Sequence, residues 1–181
     1  MGYRKNTEIN KRQKDQFDKM ISLSSTYCNL KGVYSRINII KKDTSSIEFE
    51  KNIKFESVKL AKFLKNSSSI FIIGVTSGTE IVKFRDELSD NDLTASVIAD
   101  AVGSELVESM AEWLHDFLSN LIAKEGLGVT KNRFSPGYGD FELKNQNIIY
   151  KLLRLDKLNI QLSENYILIP EKSITAIIGI E

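Results

Sequence analysis

The run Arg133-Phe134-Ser135-Pro136-Gly137-Tyr138-Gly139-Asp140 sets a fixed cation, a rigid proline, two glycines, two aromatic rings and a carboxylate side by side. A guanidinium presents a planar fork of donors that matches a carboxylate. Proline fixes φ, and glycine lets the backbone turn or approach a ligand closely. Tyrosine adds a flat face with a polar tip. Together these groups suit a small ligand that carries both an acid and a ring. The same composition also serves an ordered surface turn capped by an arginine.

Other chemistry is sparse. Glu105, Glu108 and Glu112 stand at i, i+3 and i+7, so a helix would put them on one face. They read as a solvated stripe, or as a stripe in which one member faces a ligand or a bound water. The sole histidine, His115, has no second histidine or cysteine at a useful spacing, so it reads as structural or surface rather than as a base. A single cysteine, Cys28, rules out an internal disulfide framework and, with one histidine, argues against a zinc site. Gly74-Val75-Thr76-Ser77-Gly78-Thr79 follows an apolar run but lacks the glycine spacing of a dinucleotide fold, and no phosphate-cradling loop with lysine occurs. Asp140 and Glu164 read as exposed carboxylates. With no acid/base dyad and no catalytic residue to name, the chain reads as a binding module.

The bulk numbers agree with that modest inventory. A chain of 181 residues, 41% hydrophobic, suits one domain with a small helical extension. The extension is placed at 1–30 and the domain at 31–181. Lys plus Arg is 25 and Asp plus Glu is 24, so the net charge of +1 gives no global argument for nucleic acid or an anionic membrane. Arg4, Lys5, Lys11, Arg12 and Lys14 interleave with Glu8, Asp15 and Asp18, as on a solvated helix face. No apolar run approaches the ~20 residues that span a bilayer. No secretory signal stands at the start, and the expected location is cytoplasmic.

These residues need elements to hold them. Spaced Ile9, Phe17, Met20 and Ile21 predict a weak amphipathic helix over Thr7 to Leu23. Val33 to Ile40 alternates as a half-buried strand does, and Ile47 to Phe49 reads as a short strand. Ser57 to Lys65 reads as a short helix, and Ile70 to Val75 as a buried strand. Thr79 or Ser77 is expected to cap a helix over Glu80 to Leu88, and Asp90-Asn91-Asp92 offers a second cap. The longest helix runs from about Leu93 to Lys124, its apolar face including Val97, Ile98, Val102, Leu114, Phe117, Leu118 and Leu121. Gly103 interrupts it, at about 1 kcal/mol against alanine, so close packing or close ligand approach is expected there. Gly126 and Gly128 mark its end. Asn145 to Leu155 reads as a helix. Tyr166 to Ile169 and Ser173 to Ile180 read as a hairpin joined by Pro170-Glu171-Lys172. This order predicts α+β with a mainly antiparallel sheet.

Three blocks carry a resemblance. They are Ala99-Asp100-Ala101-Val102-Gly103-Ser104-Glu105-Leu106-Val107-Glu108 running into Ala111-Glu112-Trp113-Leu114-His115; the Arg-x-x-x-Gly-Tyr order within Arg133 to Asp140; and Leu162-Ser163-Glu164-Asn165-Tyr166 with Ile169-Pro170-Glu171-Lys172-Ser173. In these the chain resembles the S-adenosylmethionine-binding activation domain of cobalamin-dependent methionine synthase, over roughly Ile70 to Ile180. The resemblance implies a bent, C-shaped α+β domain with a twisted, mainly antiparallel sheet and a long central helix. It implies S-adenosylmethionine as ligand. The domain would support reductive methylation of cob(II)alamin, with a flavodoxin-type or other electron donor, in the service of methionine biosynthesis.

By the same resemblance Arg133 would hold the ligand's carboxylate and Gly137 and Tyr138 would line the ligand. Ser135 and Pro136 would shape that loop, and Glu108 would stand near the ligand. The chain ends at Glu181, sooner than the family's domain, and has no Asp-x-His-x-x-Gly motif to ligate cobalt. The expectation is therefore a stand-alone reactivation protein acting on a separate corrinoid protein, a methionine synthase core or another corrinoid methyltransferase. A second reading keeps the corrinoid-protein-binding or scaffold role without the ligand.

Overall fold

The computed structural model describes residues 10–181. Arg4, Lys5, Glu8 and the expected start of the first helix at Thr7 lie outside the described residues. In chain order the elements are α1 (Lys11–Thr26), β1 (Lys31–Lys42), β2 (Ser46–Phe49), β3 (Ile53–Glu56), α2 (Val58–Phe63), β4 (Ser69–Thr76), α3 (Glu80–Ser89), α4 (Leu93–Ala123), α5 (Gln146–Leu153), β5 (Gln161–Leu162), β6 (Leu168–Ile169) and β7 (Ser173–Ile180).

β4 is the centre of the core because both of its faces are covered. Every one of its residues is buried. Phe71, Ile73 and Val75 join the α4 residues Val107, Ala111, Leu114 and Leu118 in one cluster. Ile70 and Ile72 join Leu60 of α2 and Ile149 and Leu153 of α5 in another. A strand buried on both sides has no polar alternation to keep, which is why Ile70 to Val75 reads as an unbroken apolar run. β1 differs. Val33, Ser35, Ile37 and Ile39 are less exposed than the residues between them, as the alternation predicted.

The five-stranded sheet has the order β3-β2-β1-β4-β7 and is antiparallel at every pairing. β1 spends its length on two partners. Lys31 to Asn38 pair with β4, and Ile39 to Lys42 pair with β2, with a register shift between Ile39 and Lys41. An extra residue in one strand bends it and raises its twist. The result is a curled half-barrel with α4 as the long central helix, an α+β fold. α1 lies on the far side of α3 and α4, where Met20 and Cys28 pack on Ile81, Phe84 and Ala99, and Tyr27 stacks on Phe84 at 4.0 Å.

Several local expectations need correction. Tyr166–Ile169 and Ser173–Ile180 do not form a hairpin: β6 pairs with β5, while β7 pairs with β4. Pro170 has no N–H for a ladder, and Lys172 is pulled sideways, its carbonyl accepting from Ser77 N–H at 2.9 Å. Neither Thr79 nor Ser77 caps α3. Thr79 is already in the helical region (φ −82, ψ −27), and its side chain makes no cap hydrogen bond. Ser77 Oγ turns to Lys172 O instead. Asp92 does cap α4, accepting from Ala95 N–H. Val97, Phe117 and Leu121 are exposed, because a helix over one sheet face buries a single stripe. α5 stops at Leu153, where Arg154 takes a left-handed conformation.

Close packing at the β7 edge yields a stability test. A Cβ on Gly179 would overlap the Ser67 hydroxyl and stand 2.7 Å from Thr130 Cγ2. Gly179→Ala is expected to lose about 1–3 kcal/mol in urea unfolding, the usual cost of overpacking. An unchanged midpoint and slope would show that this strand has room to shift.

Candidate functional site

The chain leaving α4 runs back along the outer edge of β7. Gly128 and Glu181 exchange main-chain hydrogen bonds, Thr130 N–H donates to Gly179 O at 2.9 Å, and Phe134 and Ile177 exchange both bonds at 2.9 and 2.8 Å. Phe134 is therefore fixed to the sheet, and its ring packs among Phe63, Tyr138 and Phe141. Immediately past it the chain folds into a tight loop. Gly137 at φ +92 donates its N–H to Phe141 O at 2.7 Å, and Tyr138 N–H reaches Ser135 O. That left-handed φ is one glycine adopts freely.

Asp140 closes the loop against α2. Its carboxylate accepts from Ser57 Oγ at 2.6 Å, Val58 N–H at 2.7 Å and Lys59 N–H at 3.2 Å. The Ser57 hydrogen bond, helped by the backbone donors, holds this carboxyl below the usual aspartate range. Asp140 therefore ties the loop in place, a role that exposure alone did not suggest.

Arg133 sits one residue before the Phe134 anchor and reaches α4. Its Nη2 donates to Glu108 Oε2 at 3.2 Å, with 21% of the Arg133 side chain and 62% of the Glu108 side chain exposed. The two charged residues singled out in the sequence thus meet. They sit in a cleft of about 710 Å³ whose α4 wall is Glu108, Glu112, His115 and Asp116, and whose loop wall includes Lys131, Arg133, Ser135 and Tyr138. A smaller cleft of about 270 Å³ shares Glu108, Ser135, Tyr138 and Ile174 with it. Pro136, Tyr166, Ile167, Leu168 and Glu171 line that second space. Gly137 lines neither cleft and supplies the turn. Glu105 lines neither, so the three-glutamate stripe is split.

His115, read from the sequence as structural or surface, is half-buried beside Arg133. It stands on the cleft wall, where burial and then the Arg133 charge push its pKa below the ordinary histidine value, against a Thr130 backbone hydrogen bond and Asp116. Glu108, Glu112, His115 and Asp116 follow i, i+4, i+7 and i+8, a helical face that was legible in the spacing. Ile174 and Lys131 carried no such signal.

A second cluster of charges borders the smaller cleft. Lys172 Nζ bonds Asp100 Oδ1 at 2.7 Å and Ser104 Oγ at 2.9 Å. Arg85 bonds Asp100 at 3.1 Å and also Glu171. Burial works against the Asp100 charge, but Lys172 and Arg85 outweigh it and hold its carboxyl below the usual range. Gly103 makes this approach possible: a Cβ there would stand 3.2 Å from Ile81 Cγ1 and 3.4 Å from Lys172 Cγ. Of the two explanations offered for that glycine, close packing is the one observed.

Chemically the clefts offer a guanidinium and a carboxylate side by side, a tyrosine ring and small polar groups. These groups are chemically complementary to a molecule carrying both charges and a ring. Among the described residues no group of three or more His, Cys, Asp and Glu is placed to hold a metal ion, and no helix is long and apolar enough to cross a membrane.

No family model and no curated protein matches the chain. Among solved structures it is similar to the crystal structure of the MetH reactivation domain bound to AdoHcy, with a TM-score of 0.71 and 16% sequence identity. That likeness covers 96% of this chain and 67% of the other. The chain therefore has the fold of that domain, including its α+β class.

The Asp140 geometry gives a pH-dependent prediction. Because its folded pKa is depressed, its stabilisation is present above the unfolded aspartate value near 3.9 and fades as pH falls through the lower folded value. Asp140→Asn should melt below wild type at pH 7, and the gap should narrow steadily below pH ~4. A gap that stays constant down to pH 2 would mean the carboxylate charge is not what holds the loop.

Proposed function

We propose that this protein binds S-adenosylmethionine in the paired clefts beside Arg133 and Glu108. It would present the sulfonium methyl group for the reductive methylation of cob(II)alamin carried outside these 181 residues. The Arg133–Glu108 pair supports this most strongly. An amino-acid end carries a carboxylate and an ammonium, and the cleft offers one partner for each, 3.2 Å apart. Arg133 would exchange part of its pairing with Glu108 for the ligand's carboxylate, and Glu108 would take the ammonium. Tyr138 offers a ring face to the rest of the ligand, and Ser135 and Pro136 shape the loop. The similar reactivation domain, itself bound to AdoHcy, supports the ligand class.

One electron from a reduced flavodoxin-type or other donor and the sulfonium methyl group together convert cob(II)alamin to methylcobalamin, leaving S-adenosylhomocysteine. The protein's part is to bind and orient, which needs no nucleophile or base of its own. A methionine synthase core or another corrinoid methyltransferase is the expected carrier. The competing reading, a corrinoid-protein scaffold without the ligand, draws on one observation: Arg133 is already paired with Glu108.

Titration calorimetry with S-adenosylmethionine separates the two. Wild type should bind, and Arg133→Ala should lose about 1.5–3 kcal/mol, the worth of a charge-assisted hydrogen bond, or roughly tenfold or more in affinity. Glu108→Gln should also weaken binding. No heat with wild type, or full affinity in Arg133→Ala, favours the scaffold. Mixing the protein with S-adenosylmethionine, a reductant and candidate cob(II)alamin proteins, and following the visible absorbance, tests the reaction directly.

A further inference from the structure

The smaller cleft has a wall with little core of its own. Of residues 163–169 only Leu168 is buried, and β5 and β6 contribute two residues each. Tyr166, Ile167 and Leu168 nevertheless face the cleft. What holds this segment at its far end is Pro170-Glu171-Lys172, pinned by both side chains. Glu171 goes to Arg85 of α3, and Lys172 goes to Asp100 and Ser104 of α4. The Lys172 carbonyl accepts from Ser77 N–H as well. Lys172 is the most enclosed of the four ionic partners, with 12% of its side chain exposed against 44% for Asp100.

Asp100 stands eight residues before Glu108 on α4, on the same helical face. One rigid helix therefore carries the carboxylate that pairs with Arg133 and the carboxylate that holds the opposite wall. We propose that Asp100 is a positioning residue for the cleft. By seating the Lys172 ammonium it holds the 166–171 wall at the distance from Tyr138 and Pro136 that the ligand requires. This rests on the ligand reading given under Proposed function. Asp100 touches no ligand itself and acts through Lys172.

The test measures S-adenosylhomocysteine affinity, amide hydrogen exchange and melting temperature in wild type, Asp100→Ala, Lys172→Met and the double variant. Lys172→Met keeps the stem against Gly103 and removes the charge. Both single variants are expected to bind about tenfold more weakly, because the ligand must then order the wall itself. Exchange should rise at 163–172 in the free protein and not at β4 or β7. Asp100→Ala strands an enclosed ammonium and should melt lower, while the double variant removes that charge and should regain melting temperature. Affinity should stay low in the double variant, since the tether is still absent. If affinity returns with stability, Asp100 only neutralises Lys172 and the positioning role is overturned. Wild-type affinity in both single variants overturns it as well, while leaving the ligand reading intact. No binding to wild type removes the ligand reading and the positioning role together.

Discussion

Main-chain pairing along the outer edge of β7 is the constraint on which the site depends. An uncovered strand edge presents unsatisfied amides and carbonyls. Here the 128–134 segment satisfies those of Ile177, Gly179 and Glu181. Once Phe134 is fixed in that register, Arg133 has no choice of neighbourhood. It projects beside α4, whose position is set by the burial of Val107, Ala111, Leu114 and Leu118 on β4 and β7. The ion pair with Glu108 thus follows from backbone pairing and apolar burial, and neither of those depends on charge.

α4 is the ruler of the molecule. One face buries the stripe that packs on the sheet, and another carries Asp100, Ser104, Glu108, Glu112 and His115 at three- and four-residue steps. Its N-terminal half meets the Lys172 anchor, and its middle meets Arg133. At Gly103 the packing is close, with Ile81 of α3 and the Lys172 stem both against it. A glycine that weakens a helix locally here admits two neighbours that a side chain would exclude.

Legibility followed burial. β4, α4 and the alternation of β1 were readable because a strand or helix against a large apolar core must display its periodicity. β3 and β5 were missed, being four residues and two residues long, too short for any period to emerge. The expected hairpin at 166–180 failed for a different reason. Its connection had a hairpin's length, but Glu171 and Lys172 are spoken for by Arg85 and Asp100, far away in sequence. Of the glutamate stripe, Glu108 and Glu112 line the larger cleft and Glu105 does not; spacing alone leaves open which member meets a partner. Asp140 is exposed, as read, but nothing local announces that its carboxylate accepts from Ser57 and the start of α2.

By itself, then, the sequence determined the α+β class, the long helix, the buried central strand and the tight turn between Arg133 and Asp140. These are local or periodic properties, set by side-chain chemistry over a few turns or one strand. Only the tertiary structure decided that Arg133 meets Glu108, that His115 joins the wall, and that Lys172 anchors to Asp100. Each of those joins residues 15 to 72 positions apart along the chain. Such partners are chosen by strand register and helix packing, and those are settled only when the whole core forms at once.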